Sequence, residues 1–193
     1  MAIVNGYATV EQLQRALRRT VDNADPNLSW LEMCIEQSSR FIDAQTGSFF
    51  YEKTLSNEKI DIYDMSDNEV MIDSTGDRLL FPAPLTEVTS IVESSSTLTE
   101  DIDFFTYKSM GVIERDSGWS SNRKAIVFTG KIGYASTPTR IVALCLQIAK
   151  AISGLSVSAF TDESGGLTEV IRESIPKWVL TALKKERRIV AWG

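Results

Sequence analysis

The groups in this chain that could do chemistry are carboxylates, a threonine–glycine–lysine run and two thiols; histidine is absent from all 193 residues. Without histidine there is no Ser–His–Asp nucleophile, no histidine-bearing zinc site and no imidazole switch near neutral pH. Asp61, Asp64 and Asp67 recur at every third position. A calcium loop alternates its ligands and turns on a glycine, so this set reads as a solvated acidic face. Asp101 and Asp103 could flank a glycosidic bond, yet the surrounding carboxylates offer many such pairs and no spacing singles one out. Thr129-Gly130-Lys131-Ile132 lacks both the upstream glycine of a phosphate loop and a hydroxyl residue after the lysine. Gly-x-Ser-x-Gly is missing, and serine and lysine are too common for spacing to mark a dyad. No catalytic, cofactor-binding or metal-binding set is assigned, and the expectation is a protein that is not an enzyme.

Cys34 and Cys145 lie in apolar, helix-like patterns. A disulfide is one reading; two buried thiols acting as small hydrophobes is the favoured one. Thr9 and Gln12 form a capping box that predicts a first helix, with Val10, Leu13, Leu17 and Val21 at helical spacing and Asp25-Pro26 as its stop. Ser29 and Glu32 predict a second capping box, Leu28 and Met33 a hydrophobic staple, and Leu31, Cys34, Ile35, Ser38, Phe41 and Ile42 one buried face ending at Gly47. A third helix is predicted with Thr137 as N-cap and Pro138 as its first residue, buried on more than one side and ending near Gly154. A fourth is predicted over 174–189, with Pro176 in its first turn.

Between the helix pairs the texture changes. Lys59–Tyr63, Glu69–Ile72, Val88–Val92, Val112–Arg115 and Ile126–Thr129 favour β-branched and aromatic residues, separated by Asn, Asp, Ser and Gly. Phe81-Pro82-Ala83-Pro84 cannot be a central strand, because two prolines remove two donors. The expected fold is therefore α+β: a four-helix bundle with a small antiparallel β module of five or six strands inserted between the second and third helices. The expected boundaries are 1–48, 49–136 and 137–193, with the last segment holding the second helical pair and a tail.

Charge follows the same division. Phe50–Asp116 carries 15 acidic and 5 basic residues, a net of −10, whereas Glu169–Gly193 carries 6 basic and 3 acidic, a net of +3. An acidic middle disfavours general nucleic-acid affinity, which needs a basic face. No stretch reaches about 18 apolar residues, so no transmembrane helix is expected. MAIVNGYATVEQ does not read as a signal peptide, so folding in a cytoplasm is expected.

Aromatic residues supply the remaining candidates. Trp30 and Trp178 open helices and are expected to be packed. Phe104, Phe105, Tyr107 and Trp119 are many aromatics for a polar, short-stranded segment and are candidate contacts to a neighbouring subunit or another protein. Arg187, Arg188, Ile189, Val190 and Trp192 combine carboxylate-pairing cations with an aromatic anchor and form a candidate docking element.

The opening helix, LEMCIEQSSRFIDAQTG over Leu31–Gly47, PLTEVTSIV over Pro84–Val92 and IVFTGKIGY over Ile126–Tyr134 occur in a particular order. They are followed by the loop Thr161-Asp162-Glu163-Ser164-Gly165-Gly166 and by IPKWVLTALKKERR over Ile175–Arg188. This pattern resembles the head–tail connector (adaptor) proteins of long-tailed bacteriophages. The chain departs from them in its longer acidic segment, Asn57–Asp77, and in the loop, where relatives often carry Ser-Glu-Ser-x-Gly followed by an aromatic. The resemblance implies a structural virion protein at the head–tail junction, forming a ring, commonly of twelve copies. Its implied partners are the portal above, to which the docking element would bind, a stopper or tail-completion protein below, and itself. DNA would pass through the lumen without specific binding, and no cofactor, metal or membrane is implied. Two rival readings are a β module that stacks oligonucleotides or carbohydrates on its aromatics and a different neck component, a stopper or tail-completion protein.

Overall fold

The computed structural model describes residues 5–19, 27–60, 70–154 and 174–186, and within them helices and strands segregate along the chain. Two units result, one from residues before Ser48 and after Thr137, the other spanning Phe49–Ser136. The fold is mixed α+β, with four helices and two antiparallel sheets among the described residues.

The helical unit contains α1 (Val10–Ala16), α2 (Leu28–Thr46), α3 (Thr139–Ser153) and α4 (Lys177–Glu186). Helix α1 opens with the predicted capping box, Thr9 and Gln12 each bonding the other's backbone N–H. It ends earlier than its apolar spacing suggests, because Leu17 caps it and Arg18 takes a left-handed φ of 57°. Val21 and the Asp25-Pro26 stop lie outside the described residues. Helix α2 starts one residue before the predicted box: Asn27 is its N-cap, no side chain caps it, and Ser29 lies inside the helix. It closes as expected at a left-handed Gly47.

Helix α2 contacts all three other helices, and α3 contacts α1 and α4. Leu31, Ile35 and Ile42 of α2, Ile148 and Ile152 of α3, Leu13 of α1 and Val179 of α4 are all closed off from water. Three hydroxyls share this interior. Ser38, Ser39 and Thr46 donate to the carbonyls of Cys34, Ile35 and Ile42 four residues back, at 2.6–2.8 Å, which lets polar groups sit in an apolar seam. Cys34 and Cys145 are buried free thiols. Burial pushes them up to about 12 and about 11, which keeps both protonated and inert. Helix α3 begins one residue later than predicted, with Pro138 as the extended N-cap. It is buried on one face only, leaving Arg140, Ala143, Gln147 and Lys150 exposed. Residues 5–8 are tied onto α2: Tyr7 N–H donates to Ser39 Oγ, the Tyr7 hydroxyl donates to Asp43, and Arg40 reaches the Asn5 carbonyl.

The β unit has eight described strands rather than five or six. They are β1 (Lys53–Ile60), β2 (Met71–Ile72), β3 (Arg78–Leu80), β4 (Leu85–Glu93), β5 (Ser96–Leu98), β6 (Phe105–Tyr107), β7 (Val112–Glu114) and β8 (Ile126–Ile132). Sheet A has the order β1-β8-β4-β5 and sheet B the order β2-β3-β7-β6. Of the predicted Lys59–Tyr63 strand, Lys59 and Ile60 end β1, and the rest lies outside the described residues, as do Asp61, Asp64 and Asp67. Phe81-Pro82-Ala83-Pro84 is where the chain leaves sheet B for sheet A, so neither proline interrupts a ladder. Leu79 and Ile113 from sheet B and Leu85, Ile91, Ile126, Phe128 and Ile132 from sheet A merge into one core. The rings of Phe81 and Phe128 meet at its centre, 4.8 Å apart.

Central strand β8 carries the Thr129-Gly130-Lys131-Ile132 run, and its glycines answer to crowding rather than to phosphate. A Cβ on Gly130 would sit 2.4 Å from the Glu87 carbonyl oxygen and 2.7 Å from the Phe128 ring. At Gly133, where φ is +100°, it would lie 1.9 Å from the Tyr51 carbonyl oxygen. Lys131 is held between Glu52 and Glu87 on the two neighbouring strand segments.

Gly133→Ala should therefore lower stability by about 2 kcal/mol or more, with Gly130→Ala similar. Thermal or urea melts of the two variants measure this. A second expectation concerns Asp43. Burial pushes its carboxyl above the ordinary range, against the opposing pull of the Tyr7 hydroxyl and the Arg40 guanidinium. A raised folded value favours the fold at low pH and loses that contribution as pH rises through it. Tyr7→Phe removes a donor to the carboxylate, so its cost should be about 1–3 kcal/mol at pH 7 and shrink as pH falls through the raised value and the carboxyl takes up a proton. Melts of wild type and variant across that range would show the convergence.

Candidate interaction surface

Strands β6 and β7 and the loop after β7 bring the four predicted aromatics into one region and then part them. Phe104 and Trp119 are buried in the β-unit core. Phe105 and Tyr107 stay exposed, at 42% and 46%. Half of the aromatic content of this polar segment thus builds its interior, because two small sheets need bulky groups to fill the space between them.

The position of Trp119 follows from a polar knot around it. Its indole N–H donates to the Asp77 carbonyl at 3.0 Å, and its backbone N–H donates to the Gly76 carbonyl at 2.8 Å. Arg115 stacks over the ring, 5.6 Å from the centroid, and pairs with Glu93. The other Glu93 oxygen accepts from Ser120 N–H at 2.7 Å. One largely buried carboxylate therefore ties β4 to the β7 end and to the Trp119 loop, with both oxygens satisfied.

The opposite face of sheet B is open. Cross-strand register places Arg78, Glu114 and Phe105 in one row. Arg78 donates through Nε and Nη2 to Glu114 Oε1 at 3.0 and 2.8 Å. This hydrogen bond, with one from Tyr107, holds the Glu114 carboxyl below its ordinary value, and the same carboxylate pushes the Tyr107 phenol up. The β2–β3 turn is fixed by Asp73, whose Oδ1 accepts from the N–H groups of Gly76, Asp77 and Arg78. Asp103, a weighed catalytic carboxylate, instead accepts from Thr99 N–H at 2.8 Å and closes a turn. A depression of about 190 Å³ beside Ile102, Asp103, Phe105 and Arg115 falls short of the 300–1,000 Å³ usual for a small-molecule site.

Among the described residues no three His, Cys, Asp or Glu side chains gather as metal ligands, and no helix is long and apolar enough to cross a membrane. Arg187, Arg188, Ile189, Val190 and Trp192 lie outside the described residues, as does the Thr161–Gly166 loop. Trp178 was expected to pack and does not: it is 57% exposed, because Val179 and Leu183 take the buried face of α4. Position in a first helical turn does not say which face an aromatic occupies; the i,i+4 pair Val179 and Leu183 marks the buried face, and Trp178 lies off it.

Among the described residues, helices that precede and follow eight antiparallel strands along the chain define the class, a mixed α+β fold. No protein-family model matches the chain, and no curated protein matches it. Among solved structures, the fold is similar to a chain described as the neck of an empty GTA particle (a phage-like gene transfer agent) computed with C6 symmetry. The TM-score is 0.51 at 15% sequence identity, covering 91% of this chain and 92% of that one. At this identity the likeness is one of fold.

The two pairs of aromatics should separate cleanly on substitution. Trp119→Ala should cost about 3–5 kcal/mol, as for other large core truncations. Phe105→Ser and Tyr107→Ser should each stay within about 0.5 kcal/mol of wild type. Urea denaturation of the three variants provides the comparison.

Proposed function

We propose that this chain is a structural neck protein of a phage-like virion, an adaptor that assembles as a ring between the portal and the lower neck and lets DNA pass through its lumen. The observation that carries the reading is the fold likeness to a neck chain over more than nine-tenths of both chains. In this reading the helices act as a bundle core, the β unit is an insertion that meets neighbouring proteins, and no chemistry is performed. Twelve copies or six are each compatible with the C6 symmetry with which the neighbour's neck was computed. The −10 net charge of the middle segment suits a DNA conduit, since acidic walls repel phosphates and let the duplex slide. Arg187, Arg188, Ile189, Val190 and Trp192 are the proposed portal-docking element. One such tail binds weakly, and a ring of them binds by avidity. Assembly in a host cytoplasm and residence at the head–tail junction follow from the same reading.

The rival reading, a module that stacks bases or sugars, is disfavoured by a particular observation: Phe104 and Trp119, half of its platform, are buried. Mass photometry and negative-stain microscopy, with and without portal-bearing capsids, test the proposal. Closed rings, alone or on the portal, are expected; a monomer that persists with portal and binds an oligonucleotide overturns it. Removing residues 189–193 together with Arg187→Ala and Arg188→Ala should leave the melting curve unchanged and abolish capsid attachment.

A further inference from the structure

Among the described residues, large hydrophobic side chains are strongly exposed in two places only. One is the β6 region, with Ile102, Phe105, Tyr107 and Met110 exposed by 42–78%; the other is Trp178 on α4. Register gives the first place a shape. Met71 pairs with Leu80, Leu80 with Val112, and Val112 with Tyr107, so four apolar residues stand side by side across all of sheet B. Leu79 and Ile113, one position along, are fully buried, which puts this row on the outer face. The row runs off the sheet at β6, an edge strand. A hydrophobic edge left open in this way is a site of association.

The charges around the two places are opposite. Residues 100–116 contain Glu100, Asp101, Asp103, Glu114 and Asp116 against Lys108 and Arg115. Helix α4 exposes Lys177, Lys184 and Lys185, and Lys185 lies seven residues from Trp178, on the same face of the helix. One place is an apolar stripe with an acidic surround; the other is an aromatic knob with a basic surround.

We infer that Trp178 on α4 of one copy seats on the outer face of sheet B of a second copy, against Phe105 and Tyr107. Each subunit then offers one knob and one stripe, two different patches, and such a head-to-tail contact closes into a ring when the rotation allows. Tryptophan is among the residues most enriched as interface anchors, and Tyr107 offers it an aromatic partner. The lysines pair with the acidic surround at the rim, where they speed and orient docking more than they strengthen it. The inference rests on the ring reading above and names the surfaces that would close that ring.

The experiment uses two full-length variants, Trp178→Ala, which loses the knob, and Phe105→Ser with Tyr107→Ser, which removes the exposed end of the stripe and its exposed neighbour on β6. Circular dichroism first establishes that both keep wild-type helix and strand content, as exposed positions should. Mass photometry then follows assembly, alone and with portal-bearing capsids. Each variant should associate with itself roughly thirtyfold or more weakly than wild type, the scale of a hot-spot loss. Mixed together, they should form a 1:1 dimer that does not grow, because one intact knob still meets one intact stripe. Rings formed by wild type and by both variants alike overturn this inference and leave the adaptor reading standing. Absence of rings from wild type, with and without portal, overturns the adaptor reading itself. Variants that fail as predicted yet give no mixed dimer overturn the pairing of knob with stripe.

Discussion

The β unit depends on how closely three backbones approach at β8. This strand is hydrogen-bonded on both sides, to β1 and β4, and its alternate residues Ile126, Phe128, Gly130 and Ile132 face the core. Side chains at Gly130 and Gly133 would collide with the carbonyl oxygens of Glu87 and Tyr51. The missing Cβ atoms are what let the neighbouring segments close around β8, over the core to which Phe81, Phe128 and Trp119 belong. The outer face of sheet B is presented to solvent because its inner face is anchored in that core.

Among the described residues, several polar groups inside this protein have a defined structural task. Glu93 is the clearest case: it joins Arg115 and Ser120 and so holds the Trp119 loop against the sheet. In the helical unit, the hydroxyls of Ser38, Ser39 and Thr46 bond within their own helix and cost the α2–α3 seam nothing in unsatisfied groups. With interior polarity used in this way, the features left for function lie outside. They are an acidic β unit, a basic last helix, and apolar groups exposed in one region of each.

Much of the helical unit was legible beforehand. The Thr9–Gln12 box, the apolar face of α2 and Gly47 are local signals, set within a few residues of one element. The β unit was harder. Strand β1 reads KTLSNEKI, polar enough to pass for a loop, and is a strand because β8 supplies its hydrogen-bond partners. The β4–β5 hairpin turns on Ser94 and Ser95, both with positive φ, a conformation usually marked by Asn-Gly. Ser29 looked like an N-cap but lies inside α2, since Asn27 occupies that place without making the side-chain bond.

The tryptophans mark the boundary between the two kinds of information. Residue type and spacing determined by themselves that helices enclose a β segment, that its charge is acidic, and that two prolines separate strands. They did not determine which aromatics are inside. Trp119, in a stretch of serines and glycine, is buried because Asp77, 42 positions away, accepts its N–H and Arg115 and Glu93 close over it. Trp178, at the start of a helix, is exposed because Val179 and Leu183 take the one face that α4 can bury. Burial of a side chain is decided by groups distant in sequence, through hydrogen bonds and contacts that exist only once the sheets and helices have packed, whereas capping and periodicity are settled within a few residues.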